Sequence, residues 1–233
     1  MEQDVVLAPA YEAGAEERSA FLRAVAVRTL GGLALTAVAA VASMLFVAPT
    51  VLRWGTWGVL AVVYGSFLLS QTIARKMVYG EAKVGGFVLG TAMQGLSLGF
   101  LLLITLLLGK VSDGSTVIGY ALLMTLLASL AMRVYVSIEK REFSILRAGL
   151  GMLFVPMLIL MGLQLVFPIG GTMGLVIAVV FLAVSVGALL WKINFVVHTM
   201  PVNMPTEGAY ELTLGIVVMF WNLLSLLNRG RRR

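Results

Sequence analysis

The chain has 233 residues, of which 60% are hydrophobic and only 12% charged, with 17 Lys and Arg against 11 Asp and Glu. A soluble domain of that size keeps its charged side chains on the outside, and this composition cannot supply such a surface. Cysteine is absent, which excludes disulfides, thiolate metal sites and cysteine nucleophiles, and a single histidine excludes His-rich metal clusters. The net charge of +6 is assigned to the basic flanks of membrane spans, so nucleic acid is not an expected partner.

Residues 1–28 are polar, acidic and Ala-rich, without the short apolar core of a cleavable signal peptide, and read as a cytoplasmic tail. Seven apolar runs follow, at 29–51, 54–74, 84–109, 115–135, 146–167, 173–191 and 210–227. A helix needs about 20 apolar residues to cross a hydrocarbon core of roughly 30 Å. Runs such as 95–108 and 173–190 are apolar on all sides rather than alternating, which favours helices over barrel strands. The expected organisation is therefore an all-α integral membrane protein: a tail at 1–28, a seven-helix transmembrane domain at 29–227 and a short basic tail at 228–233. No internal repeat stands out.

Basic residues orient the bundle. The first tail holds Arg18, Arg23 and Arg28; the next connections on that side hold Arg75, Lys76 and Lys83, then Arg133, Lys140, Arg141 and Arg147. The opposite connections hold only Arg53 and Lys110. This asymmetry places the N-terminus in the cytoplasm. Seven crossings leave Arg229, Arg231, Arg232 and Arg233 on the outer side, so three readings stand open: a translocated basic tail, a re-entrant last segment, or an even number of crossings. Segment length favours seven.

Small residues mark helix contacts. The third run carries Gly86-x-x-x-Gly90 and Gly95-x-x-x-Gly99, spacings that allow close backbone approach. Trp54, Trp57, Trp191 and Trp221 fall near run ends, where amphipathic rings favour the membrane interface.

Ionisable groups inside a membrane are costly and mark function by default. Lys192 and Asn194 end the sixth run, Glu211 opens the seventh, and Gln94 and Gln164 lie in the third and fifth. Glu211, Gly215, Val218 and Asn222 recur at helical spacing and share one face. The candidate site is a polar cluster of Lys192, Glu211 and Asn222, with a Lys192–Glu211 ion pair near the cytoplasmic mouth. The competing arrangement has both side chains reaching separately into the headgroups. Gly95-Leu96-Ser97-Leu98-Gly99 matches G-x-S-x-G, with His198 as an available base. That motif requires a strained strand-to-helix turn, and here it lies in a continuous apolar helix, so no catalytic residue is assigned and an enzyme is not expected.

The residues resemble the Bax inhibitor-1 (transmembrane Bax inhibitor motif) family, in its bacterial branch. Phe21-Leu22-Arg23-Ala24-Val25 leading to Leu33-Ala34-Leu35-Thr36-Ala37 is similar to its first-span region, and Gly95-Leu96-Ser97-Leu98 to its third-span signature. Lys140-Arg141-Glu142-Phe143-Ser144 resembles its K-R-D-F-S loop, and residues 209–224 match its last span in length and position. The resemblance implies six helices around a central C-terminal helix, in a bacterial inner membrane. It also implies ion leak linked to Ca²⁺ and H⁺, with cations or a membrane protease as partners, and no cofactor is expected.

The family's leak rests on two aspartates that this chain lacks. Leu190-Trp191-Lys192-Ile193-Asn194 aligns with L-Y-D-x-N and puts Lys192 at the first position. Residues 209–215 align with A-L-S-L-Y-L-D and put Gly215 at the second. Paired carboxylates titrate as a coupled unit, and a lysine with a glycine cannot. Glu211, one turn from Gly215, is the residue expected to restore part of the charge. Two functions follow: an ion-leak or transport-like protein with an altered polar cluster, or a non-conducting regulatory partner of a membrane protease or other membrane complex. The acidic tail, with Glu12, Glu16 and Glu17, is the surface the second would use.

Overall fold

The computed structural model describes residues 9–10, 12–108, 114–138 and 171–230. Among them are six helices long and apolar enough to cross a membrane: α1 (Ala15–Leu52), α2 (Gly55–Val78), α3 (Lys83–Leu108), α4 (Gly114–Ile138), α5 (Gly171–Thr199) and α6 (Pro205–Gly230). The run at 146–167, with Gln164, and the segment Lys140–Ser144 lie outside the described residues.

Two helices start earlier than hydropathy alone places them. α1 begins at Ala15 because its buried face, Phe21, Val25, Thr29, Gly32, Thr36 and Ala40, keeps helical spacing well ahead of the apolar run. α6 begins at Pro205, a residue whose fixed φ and missing N–H suit the first helical position. Three helices contain a wide π-helical turn, at Ser43–Val47, Ser70–Ala74 and Phe195–Thr199. The last carries α5 past the end of the predicted run to Thr199.

α6 is the axis. Tyr210 and Leu214 pack on Ala74 and Val78 of α2. Val217, Phe220 and Leu224 pack on Ala40 of α1, Leu98 of α3 and Val117 and Ala121 of α4. Met219 packs on Leu189, Ile193 and Val197 of α5. Trp221 is partly buried and packs against the cluster of Ala48, Val51, Val63 and Phe100. Its neighbours are apolar side chains of other helices, which the position of the residue in its own helix cannot disclose. Trp54 and Trp57 are 66% and 75% exposed.

The glycines of α3 set its distance from α1. A β-carbon on Gly95 would lie 2.5 Å from the Thr36 carbonyl oxygen and 2.6 Å from Ala39 Cβ. On Gly99 it would lie 2.5 Å from the Ala40 carbonyl oxygen. That approach lets hydroxyls reach across: Thr36 Oγ1 donates to the Thr91 carbonyl at 3.2 Å and Ser43 Oγ to that of Leu96 at 2.8 Å.

The helix ends sort into two sets. α1, α3 and α6 begin, and α2 and α5 end, around Phe21, Lys83, Met200 and Glu207. α4 starts at the other end beside Leu224 and runs toward the first, where Ala128 and Met132 pack with Ile193 and Val197. The start of α5 is at the other end too, since Arg229 donates to the Gly174 carbonyl at 3.0 Å. Ile138 and Gly171 thus stand at opposite ends of the bundle.

At the first end the chain ahead of α1 is strapped down. Pro9 bridges Pro201, and the Ala10 amide donates to the Met200 carbonyl at 2.9 Å. Ala10 is fully buried with Phe21, Val25, Val196, Met200 and Ala209. Ala10→Asn would bury an unpartnered amide there and is expected to cost about 1–3 kcal/mol. Because the strap is peripheral, the result should be faster proteolytic cleavage ahead of Ala15 with helix content unchanged in circular dichroism.

Candidate functional site

The strapped end holds a buried ionic cluster built on the first two turns of α6. Glu207 and Glu211 are four residues apart on one face of that helix, and are 0% and 2% exposed. Like charges at this spacing repel, and neither is surrounded by water, so each requires its own cation. Glu211 has two: Arg75 Nη2 is 2.9 Å from its Oε1 and Lys192 Nζ is 2.9 Å from its Oε2. Tyr79 adds a hydrogen bond, its hydroxyl donating to Oε1 at 3.3 Å. The last turn of α2, the end of α5 and the head of α6 therefore converge on one carboxylate.

Glu207 is served by Lys83, whose Nζ is 2.6 Å from its Oε1. Neither oxygen of Glu207 has a well-aligned hydrogen bond among the described residues, so the pairing is chiefly Coulombic. Its place in the first turn of α6 helps, since the helix N-terminus carries partial positive charge. Next to it, Arg28 of α1 donates to Thr206 Oγ1 at 2.8 Å. Three cations thus face two carboxylates, and the cluster keeps a net positive charge.

Tyr79 follows the last residue of α2 and stands under the Arg75 guanidinium, 5.8 Å from its ring centroid. Burial, and after it the Glu211 carboxylate, push the Tyr79 hydroxyl above the usual phenol range. It therefore stays protonated and keeps donating to Glu211 across physiological pH.

Tyr210, between the two glutamates, is fully buried, and its hydroxyl donates to the Ser70 carbonyl oxygen. Ser70 opens the π-helical turn of α2, a local widening often found at functional positions. Gly90 makes the room: a β-carbon there would lie 2.5 Å from Tyr210 Cε2.

Of the residues singled out in the sequence, Lys192 and Glu211 are brought together, and they do not reach separately for the headgroups. Asn222 is not with them. It lies on the same helix eleven residues further on, about 16 Å away along the axis at 1.5 Å per residue. It shares the face without sharing the site. Gly215 faces α5, and a β-carbon there would be 2.8 Å from Leu189 Cδ1 and 3.3 Å from Lys192 Cδ.

Arg75, Tyr79, Lys83 and Glu207 complete the cluster and were not candidates in the sequence. The spacing Glu207-x-x-x-Glu211 was the one available signal. Ser97, the serine of the G-x-S-x-G match, shares a 2.5 Å hydrogen bond with Ser66 and is also 3.2 Å from the Val63 carbonyl oxygen. It is a helix-to-helix tie. Among the described residues no three His, Asp or Glu side chains converge as a metal site would require.

No curated protein sequence matches the chain. The family model described as inhibitor of apoptosis-promoting Bax1 matches residues 18–232, which takes in every helix described above except the first turn of α1. By that match the chain belongs to the Bax inhibitor-1 family.

Proposed function

We propose that the protein is a seven-crossing bundle of a bacterial inner membrane that acts as a latched ion-leak protein, without catalytic activity. The latch is the Glu211 carboxylate, held at 2.9 Å by both Arg75 and Lys192, and that observation carries the reading. An ion passing this mouth must part α2 from α6 or α5 from α6, and either movement breaks a buried ion pair.

An odd number of crossings is supported by the opposite placement of Ile138 and Gly171, which the chain between them has to join. Orientation is supported by charge. Arg18, Arg23, Arg28, Arg75, Lys76, Lys83, Arg133 and Lys192 lie toward the cluster end, and Arg53 and Arg229 toward the other. The cluster end is then cytoplasmic.

The cluster's net positive charge opposes Ca²⁺, because like charges at a few ångströms in a poorly screened site repel by several kcal/mol, about 4 at 4 Å and an effective dielectric of 20. Ca²⁺ and K⁺ fluxes, measured separately in proteoliposomes at acidic and neutral pH, test this. The wild type is expected to pass little Ca²⁺ at either pH, and Glu211→Gln to raise K⁺ flux. Lys192→Asp combined with Gly215→Asp is expected to gain Ca²⁺ flux. A β-carbon at 215 would meet the end of Leu189 at 2.8 Å and Lys192 Cδ at 3.3 Å, and the second of these is removed by the Lys192→Asp change. Rapid Ca²⁺ flux by the wild type contradicts the latch. Silence of all three proteins contradicts the leak. It returns the chain to the regulatory reading, with Glu16 and Glu17 exposed on the first turn of α1 as its surface.

A further inference from the structure

The short connection between α5 and α6 sets how far those helices can part. Met200 leaves the wide turn of α5 in extended backbone, its amide donating to the Phe195 carbonyl at 3.0 Å. Residues 201–204 alone separate it from Pro205, where α6 begins. They form a turn closed by the Met204 amide on the Pro201 carbonyl at 3.1 Å. Lys192 stands eight residues before Met200, and Glu211 eleven after it. The end of α5 therefore swings away from α6 only when Met200 moves with it.

Met200 is held toward α1 by the chain's own N-terminal segment. Its carbonyl accepts from the Ala10 amide, and Pro9 bridges Pro201. The Glu12 amide turns back to the Pro9 carbonyl at 2.9 Å, so the segment docks as a turn. Ala10 fills a junction of three helices, among Phe21 and Val25 of α1, Val196 of α5 and Ala209 of α6, with Met200. The same helices close on Gly208. A β-carbon there would lie 3.2 Å from both Met200 Sδ and Val196 Cγ1, and 3.3 Å from Val25 Cγ2.

The junction is tight, but the hold of the segment on it is small. One buried methyl group and one hydrogen bond make a contact that local opening undoes without unfolding the bundle. Charge adds to it. The chain ahead of Arg18 holds Glu2, Asp4, Glu12, Glu16 and Glu17 and no basic residue. The end of the bundle where Ala10 docks carries Arg23, Arg28, Arg75, Lys76 and Lys83. Attraction between such charges reaches about 8–10 Å in physiological salt.

We propose that Pro9 and Ala10 form an autoinhibitory strap. Docked, it holds Met200 toward α1 and keeps Lys192 against Glu211. Released, it lets the end of α5 leave α6, and the latch opens on that side. This inference rests on the latched-leak reading for its effect on ions, while the position of α5 is measured apart from flux.

A reversible lock tests the strap. The Ala10–Met200 hydrogen bond joins the residues flanking the bridge, so Pro9 and Pro201 form a non-hydrogen-bonded pair, with α-carbons about 4.5 Å apart. A disulfide spans roughly 4.4–6.8 Å, and the chain has no cysteine to interfere. Pro9→Cys with Pro201→Cys is placed in Glu211→Gln and compared before and after reduction with dithiothreitol, so one protein serves as its own control. K⁺ flux in proteoliposomes is expected to be about tenfold lower in the oxidised form and to return on reduction. Ala10→Asn, with Glu211 intact, is expected to raise K⁺ flux about tenfold over the wild type, as a minor open state gains population.

The second readout is distance. Spin labels on Ala20→Cys and Thr199→Cys, both exposed at that end, report the separation of α5 from α1 in nanodiscs by double electron–electron resonance. One distance is expected in the wild type, and a second, longer one in Ala10→Asn. This arm decides alone if the cysteine pair at 9 and 201 folds poorly. An unchanged distance in Ala10→Asn overturns the proposal, and so does equal flux from the oxidised and reduced forms of a conducting Glu211→Gln. Either result reduces the strap to a tether and leaves the latch standing. A longer distance with no flux in any variant keeps the strap and removes the leak.

Discussion

Glu211→Gln is expected to lower stability by on the order of 3 kcal/mol, the low end of what removing one partner of a buried ion pair costs. The amide keeps the shape of the side chain and removes the charge. Arg75 and Lys192 then face each other across a site that contributes no anion, and Lys192 has little room to leave, with its side chain 16% exposed. Arg75 is 47% exposed and can turn toward solvent, which keeps the loss at the lower end. The loss should appear as a reduced unfolding temperature in mild detergent, monitored by circular dichroism. Glu211→Asp, which retains the charge on a shorter stem, should recover part of it.

Gly95→Val should have an effect of similar size for a different reason. The position faces the backbone of α1, with the Thr36 carbonyl 2.5 Å and the Ala40 amide nitrogen 3.0 Å from where the β-carbon must go. A backbone cannot rotate aside as a side chain can, so the helices must separate. Overpacking of this kind costs about 1–3 kcal/mol and occasionally more. Separation also lengthens the Thr36–Thr91 and Ser43–Leu96 hydrogen bonds, each worth about 0.6 kcal/mol in a membrane. The expected outcome is a poorly monodisperse protein on size-exclusion chromatography in detergent. Gly31→Val, one residue from the same face of α1 but with open space at the β-carbon, should behave as the wild type.

These two residues were legible in the sequence to different degrees. The glycine spacing in α3 announces a close helix contact, because small residues at four-residue intervals have few other uses in a membrane. It does not say which helix comes close. Gly95 and Gly99 meet α1, Gly90 meets Tyr210 of α6, and Gly86 meets Ala74 and Val78 of α2. Glu211 was conspicuous because a carboxylate beside an apolar run is expensive, and Lys192, at the end of the preceding run, was the cation facing it across the connection.

Arg75 and Lys83 were hidden in plain view. Both read as loop charges that orient the bundle, and one residue type serves topology and ion pairing alike. Only the packing of α2 and α3 against α6 turns them inward. Glu207 was overlooked because it precedes the apolar run, whereas helix α6 starts at Pro205 and buries its first turns from all sides. Asn222 misled because helical periodicity assigns a face and is silent about depth. Gln94 and Ser97 stood out singly in an apolar run, but their partners Ser70 and Ser66 left no local trace, since each lies more than twenty positions away. The π-helical turns left none either.

The latch at the head of α6 is best tested by a double-mutant cycle on its Lys192–Glu211 arm. Thermal unfolding in one detergent would compare the wild type, Lys192→Met, Glu211→Gln and the double variant. A pair in direct contact should show a coupling of about 1–3 kcal/mol, the double variant being less damaged than the two losses added together. Additivity within about 0.5 kcal/mol would mean that Lys192 and Glu211 do not hold α5 to α6, and the latch would have to be given up.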